Sequence, residues 1–394
     1  MKERIKSFKG IIVVDSPVHI GNGRTIEKNE YVYDPINKQV HVIDIPKLYI
    51  DLVPALQNRF EDFYIKNHQD LKTWLKLNRG WQDKEQYKKY IGYSMATGTP
   101  IEVKERGGFK LCEIKSFVKD PFIKPYVPGS SIKGLLRSAL LSYVLHEHGS
   151  DFTSEIGKLL DEVFTEEKVN SRKFLRKEII ALENSIFNSW LRKKRSSFIG
   201  KELPREDAVN CCLSGLVVGD SIPLTCDKLI VCQKIDQTPK GENKSLPIFR
   251  ECLMPGTMVE FKLTIDNELC PFSIDDIKKG ITCYYNDQRD GFYKKFVDYT
   301  AKDHENCCYL GGGVGFVSKT VNQAICDIDG GNSSLEANDN IFFRTLNRKI
   351  YEIHHHNLDQ VKFKVSPHMR KLTLYKNQYY DMGKVHFIFE EEAI

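Results

Sequence analysis

The chain has 394 residues, too many for one ordinary hydrophobic core, so two domains are expected. Hydrophobic residues make up 41% and aromatics 11%, enough to build packed cores, which argues against a disordered chain. A net charge of +5 is mildly basic; it permits a polyanionic partner without demanding one.

No apolar run reaches the length of a membrane span or resembles a signal sequence, so a cytoplasmic protein with no membrane partner is expected. The eleven cysteines include the adjacent pairs Cys211-Cys212 and Cys307-Cys308 and show no CxxC spacing. Reduced thiols are therefore expected, with neither a disulfide framework nor a metal site.

Taken in order, Phe8 to Val14 is a β-branched run that reads as a buried strand ending at Asp15-Ser16-Pro17. Val18-His19-Ile20-Gly21-Asn22-Gly23 follows. Gly21 and Gly23 make a tight turn with room for a ligand, and His19 or Arg24 could supply donors; a plain glycine turn is the simpler alternative. Tyr31 to Asp34 and Gln39 to Asp44 alternate around a turn as a hairpin. Residues 51–93 read as a helical insertion whose Lys and aromatic content suits either RNA stacking or a solvated, partner-facing surface.

Pro128-Gly129-Ser130-Ser131-Ile132-Lys133-Gly134-Leu135-Leu136-Arg137 is a turn that gives way sharply to a helix. Ile132, Leu135, Leu136, Ala139, Leu140, Tyr143 and Val144 form its apolar face. Ser130, Ser131, Lys133 and Arg137 crowd the first turns, where the helix dipole favours an anion, and Gly134 lets another backbone approach. Together they describe a phosphate seat; a capped helix with solvated bases is the plainer reading.

Residues 151–200 form a second helical insertion ending in Arg192-Lys193-Lys194-Arg195, either a phosphate contact or a solvated surface run. Strands are expected at 210–218 and 228–234, and the polar stretch Pro239 to Lys244 reads as the boundary between two halves. The order strand, turn, helix, strand, strand suits a ferredoxin-like sheet. The expected fold is α+β: one such domain over 1–240 carrying the insertions, and a second over 241–394.

In the second half, Met258 to Ile265 reads as a strand and Ile274 to Tyr299 as a helix broken near Asp290-Gly291. Gly311, Gly312, Gly313 and Gly315 then form a loop whose amides can approach phosphate, with Ser318, Lys319 and Thr320 at the next helix start. Neither the Walker spacing nor G-x-G-x-x-G is present, so no nucleotide cofactor is implied. His354-His355-His356 reads as a solvated loop rather than a metal tract.

Three of these stretches carry a resemblance. The run from Pro128 to Leu140 is similar to the signature helix of the RAMP superfamily, the RNA-binding subunits of CRISPR effector complexes. The Ile-Gly-x-Gly turn at 20–23 resembles that family's first-strand ending, and the glycine loop with Ser-Lys-Thr resembles its C-terminal loop. The last is most like the fifth-subunit family of the type III-A, or Csm, complex. The resemblance implies two ferredoxin-like RAMP domains and an antiviral, crRNA-binding subunit that caps the complex backbone near the crRNA 3' end and supports crRNA maturation and assembly. CRISPR RNA, neighbouring Csm backbone subunits and, during maturation, host nucleases would be its partners. Ser130, Ser131, Lys133, Gly134 and Arg137 would hold phosphates, Gly311, Gly312, Gly313, Gly315 and Lys319 would approach the RNA backbone, and His19, Gly21, Gly23 and Arg24 would line the groove.

Some RAMP relatives are metal-independent repeat endoribonucleases that use a histidine, for which His19 and His41 are the candidates, with Tyr31 or Lys133 as partners. None sits in a pattern that marks a base, so no catalytic residue is assigned. A purely architectural, protein-binding subunit is the other alternative.

Overall fold

The computed structural model describes residues 4–66, 69–105, 108–165, 174–297, 303–331, 333–346, 348–353 and 365–392. The opening strand Ile5–Val14 sits at the centre of a five-stranded antiparallel sheet. It pairs with Met258–Asp266 on one side and Lys384–Glu392 on the other; Leu216–Val218 and Cys307–Tyr309 form the edges. Helices Gly129–His148 and Ile274–Gly291 bury their apolar faces against this sheet, in one core with Phe8, Ile12, Val259 and Leu263. Taking Leu216–Val218 as the second strand and Lys384–Glu392 as the last, the spatial order is that of a ferredoxin-like βαββαβ unit. The two helices run close because Gly280 packs on the backbone of Ala139.

A second, nine-stranded sheet places Gly21–Ile26, Ile114–Phe117, Asn243–Leu253, Leu229–Gln237, Ile91–Thr97, Gln39–Ile43 and Tyr31–Asp34 side by side. Arg370–Tyr375 and Gln378–Asp381 join it on Leu229–Gln237. The chain is thus α+β with two sheets, and both sheets take strands from either side of residue 240. Residues 238–242 are the loop of the hairpin Leu229–Gln237/Asn243–Leu253, closed by Thr238 N–H donating to Glu242 O. A polar Gly-containing stretch signals a turn and a linker alike, and here it is a turn inside one sheet.

The first insertion holds Pro54–Lys66, Leu71–Arg79 and Lys84–Tyr87. Its aromatics are spent internally: Trp74 packs edge-on against Phe60 and beside Phe63 in a small separate core, and Trp81 stacks on Tyr90. The second holds Thr153–Phe164, Arg176–Phe187 and Ser189–Ile199. The basic run lies on the last of these helices. Arg192 reaches Glu202 and Leu203 O, Lys194 reaches Glu268 O, and Arg195 reaches Val209 O, so three of its cations fasten the chain to itself. Residues 210–215 form tight helical turns, and only Leu216–Val218 of the expected strand is extended. All eleven cysteines are free. His354, His355 and His356 lie outside the described residues.

Candidate nucleic-acid interface

The glycine turn, the signature helix and the glycine-rich loop meet in one groove of about 480 Å³. Ile20 and Gly21 form one wall, Ser131, Gly134, Leu135 and Ser138 another, and Leu310 to Gly312 with Ser318 and Lys319 the third. The main chain itself joins the walls: Gly312 N–H donates to His19 O at 2.6 Å, and Leu310 N–H donates to Gly383 O at 2.8 Å. Gly311, Gly313 and Gly315 all adopt left-handed φ, at 91°, 86° and 103°. A Cβ on Gly311 would overlap the His19 carbonyl oxygen, so this glycine is required by the chain's own closure.

The helix presents the groove with positions 131, 134, 135 and 138, the i, i+3, i+4, i+7 stripe. Lys133 and Arg137 fall on another side. Arg137 donates to Glu183 at 2.6 Å and lies 4.8 Å over the Phe187 ring, tying the signature helix to Arg176–Phe187. The first amide is also taken, since Gly129 N–H donates to Asp220 Oδ1 at 2.7 Å. Pro128 is the capping position and the two serines lie within the first turn, Ser130 exposed and Ser131 on the groove. The phosphate seat expected at this helix start is therefore divided: Ser131 and Gly134 face the groove, Lys133 and Arg137 do not.

Gly134 stands out among the groove positions. It is exposed, in a helix interior, and a side chain there would meet nothing within 4 Å. Glycine costs a helix about 0.5–1 kcal/mol relative to alanine. The fold does not need it there, and its open face points into the groove.

Ser318 is turned inward, its hydroxyl donating to Val314 O at 3.0 Å, within a single turn Val317–Lys319; the next helix starts later, at Asn322. Lys319 is exposed at the rim, its ammonium without a hydrogen bond or ion pair to another described residue. His19 is buried beneath the groove, and its Nδ1 donates to Glu251 O at 2.7 Å. Burial, with the nearby cations Arg250, Lys115 and Lys119, pushes its ring down to about 4, so it is neutral at neutral pH and binds no phosphate as a cation. A general base that weak is poorly matched to neutral-pH catalysis. His41 is likewise buried and lowered to about 4, hydrogen-bonded to Ser94 in the other sheet. Arg24 pairs with Glu30 and borders a separate cavity of about 640 Å³ together with Asn22; Gly23 stands exposed between them.

Two features escaped sequence reading. Glu251, fully buried, accepts from Tyr93 Oη and Phe117 N at 2.6 Å each, from Ser116 Oγ at 3.2 Å, and pairs with Lys119. Its neighbour Arg250 points away to the other face and packs under Gly313 a guanidinium that makes no hydrogen bond or ion pair to another described residue. Exposed Lys115 is its register partner on Ile114–Phe117. Lys319 thus brings positive charge to the groove rim, and Arg250 and Lys115 bring it beneath the glycine-rich loop.

The pattern of the RAMP superfamily matches residues 11–318. The chain belongs to the RAMP superfamily. This RAMP protein is similar over nearly its whole length to proteins named "CRISPR system Cms protein Csm5". The one from Mycobacterium tuberculosis is 28% identical over 98% of each chain, and that from Streptococcus thermophilus 26% over 99% of each. The same RAMP fold occurs in the cryo-EM structure of a Csm-crRNA-target RNA ternary complex of a type III-A CRISPR-Cas system (TM-score 0.59, 18% identity, 97% of this chain and 100% of that one). It also occurs in the crystal structure of T. onnurineus Csm5 (TM-score 0.57, 21% identity, 82% and 95%).

Proposed function

We propose that this chain is a crRNA-binding subunit of a type III-A CRISPR effector complex. It caps the complex backbone near the crRNA 3' end, supports crRNA maturation and assembly in antiviral defence, and does not cut RNA itself. The observation that carries this is the groove built from three sequence-distant signatures, with Gly134 open toward it and unneeded by the fold. The solved Csm-crRNA-target RNA complex that shares this fold supports an RNA partner, and the relatives' names support membership of a Csm complex.

The groove's chemistry suits backbone rather than base recognition. Hydroxyls, small residues and Lys319 line it, while Tyr284 and Tyr309 are buried and offer no free face for stacking. That is what a subunit serving many spacer sequences needs. Trimming of the crRNA then falls to host nucleases, since neither His19 nor His41 is poised to cleave. Helices Arg176–Phe187 and Ser189–Ile199 expose Ile180, Trp190 and Phe198, which suits contact with a neighbouring Csm subunit. Among the described residues no helix is long and apolar enough to cross a membrane, in keeping with a cytoplasmic complex.

Binding of repeat-derived RNA by the purified protein, followed across a salt series, tests this. Gly134→Leu projects a side chain into the groove from a position where its Cβ meets nothing within 4 Å, and is expected to weaken binding at least about tenfold. Lys319→Ala and Lys115→Ala should each lower the salt slope by about 1. Unchanged binding in Gly134→Leu would place the RNA elsewhere, and a cut product persisting in EDTA would favour the endoribonuclease reading.

A further inference from the structure

We propose that Asp15, His304 and His386 form a binding site for one divalent transition-metal ion of the zinc type. The three come from distant parts of the chain: the end of the opening strand, the segment leading into Cys307–Tyr309, and the strand Lys384–Glu392. His386 Nδ1 lies 2.9 and 3.0 Å from the two Asp15 carboxylate oxygens, and His304 Nε2 lies 3.8 Å from Oδ1. The two imidazoles face one another with centroids 4.4 Å apart, and one ligand atom from each residue falls within 4.8 Å of the others.

A tetrahedral zinc ion with bonds of about 2.0–2.1 Å holds its ligand atoms about 3.3–3.4 Å apart. The Asp15–His386 and Asp15–His304 separations, 2.9 and 3.8 Å, lie on either side of that value, so side-chain rotations within the 4.8 Å cluster would seat the ion. Two imidazole nitrogens and one carboxylate, with a position left for water, are a borderline donor set that suits zinc; calcium and magnesium favour all-oxygen shells.

The backbone beneath is fixed. Asp15 N–H and Ser16 N–H both donate to Lys384 O at 3.0 Å, and His386 stands two residues further along that strand, in register with Cys307. His304 N–H contacts Cys307 Sγ at 3.3 Å, which anchors its segment to the same edge strand. Lys384 turns its ammonium to Asp303 at 2.8 Å, so its charge is already compensated. The His304 side chain is 60% exposed, which gives an ion a way in from solvent. A bound ion would clasp the strand Cys307–Tyr309, and therefore the base of the glycine-rich loop, to the opening strand.

Full-length protein stripped with EDTA and dialysed free of chelator is loaded with Zn2+ or Co2+, desalted, and assayed for bound metal and for the Co2+ visible spectrum. One ion per chain is expected, with a spectrum of tetrahedral type and a raised melting temperature. His304→Ala, whose exposed ring the fold does not need, and Asp15→Asn should each weaken Zn2+ binding at least about tenfold. Binding well below one ion per chain, or equal binding in His304→Ala, would overturn the site and leave a plain Asp15–His386 hydrogen bond. Because no RNA is present, the outcome is independent of the groove.

Discussion

Glu251→Ala is expected to cost about 3–5 kcal/mol of stability in urea unfolding, because it leaves the Lys119 ammonium buried without its counter-charge. The same change strands the Tyr93 hydroxyl, whose ionisation is already strongly disfavoured by burial, and the Phe117 amide. Tyr93, Phe117 and Glu251 belong to three different strands of the nine-stranded sheet, so the carboxylate fastens strands that are distant in sequence. Its backbone carbonyl also orients the His19 ring beneath the groove. Glu251→Leu combined with Lys119→Met should recover the part of the loss that comes from the buried charge, leaving that of the stranded Tyr93 hydroxyl and Phe117 amide. A loss below about 1 kcal/mol in Glu251→Ala would mean that water reaches Lys119 and the network is not a structural anchor.

Gly311→Ala should be similarly damaging, by about 2–6 kcal/mol, combining about 1–3 for the left-handed backbone with about 1–3 for the overlap with the His19 carbonyl. The informative contrast is Gly134→Ala, which should stabilise by about 0.5–1 kcal/mol because that site is helical and open. The two glycines thus serve different ends. One closes the protein on itself, and the other leaves a helix face open toward the groove proposed for RNA. Equal effects on stability would contradict that division.

Local order was readable from the sequence. The opening strand, the hairpin Tyr31–Asp34/Gln39–Ile43 and the signature helix rest on periodicity and turn chemistry confined to short windows. What periodicity could not give was partner choice. Ile5–Val14 pairs with residues near both 260 and 388, and nothing within the strand announces which. Hence the hairpin turn at 238–242 read as a domain boundary.

The segments that line the groove were legible, but not the faces they turn toward it. Ser131 and Gly134 belong to the groove, whereas Lys133 and Arg137, drawn in by their charge and spacing, turn toward Cys270 and Glu183. Which side of an amphipathic helix meets a ligand depends on what packs on its flanks, and here a helix some 46 residues downstream claims Arg137. Arg250 was missed for the converse reason. A single arginine beside a glutamate on a strand looks like any alternating pair until the glycine loop is laid across it. Asp15 lies far from His304 and His386 in the sequence, and the two histidines are themselves widely spaced, which no ligand-spacing pattern captures.

The most direct measurement is cross-linking of 4-thiouridine-labelled crRNA to the assembled protein, with the attached peptides identified by mass spectrometry. Attachment within Gly129–Ser138, Gly311–Lys319 and the peptide bearing Arg250 is the expected result. Cross-links confined to the insertion helices Leu71–Arg79 or Ser189–Ile199, with none from the groove segments, would contradict the assignment of this groove to RNA.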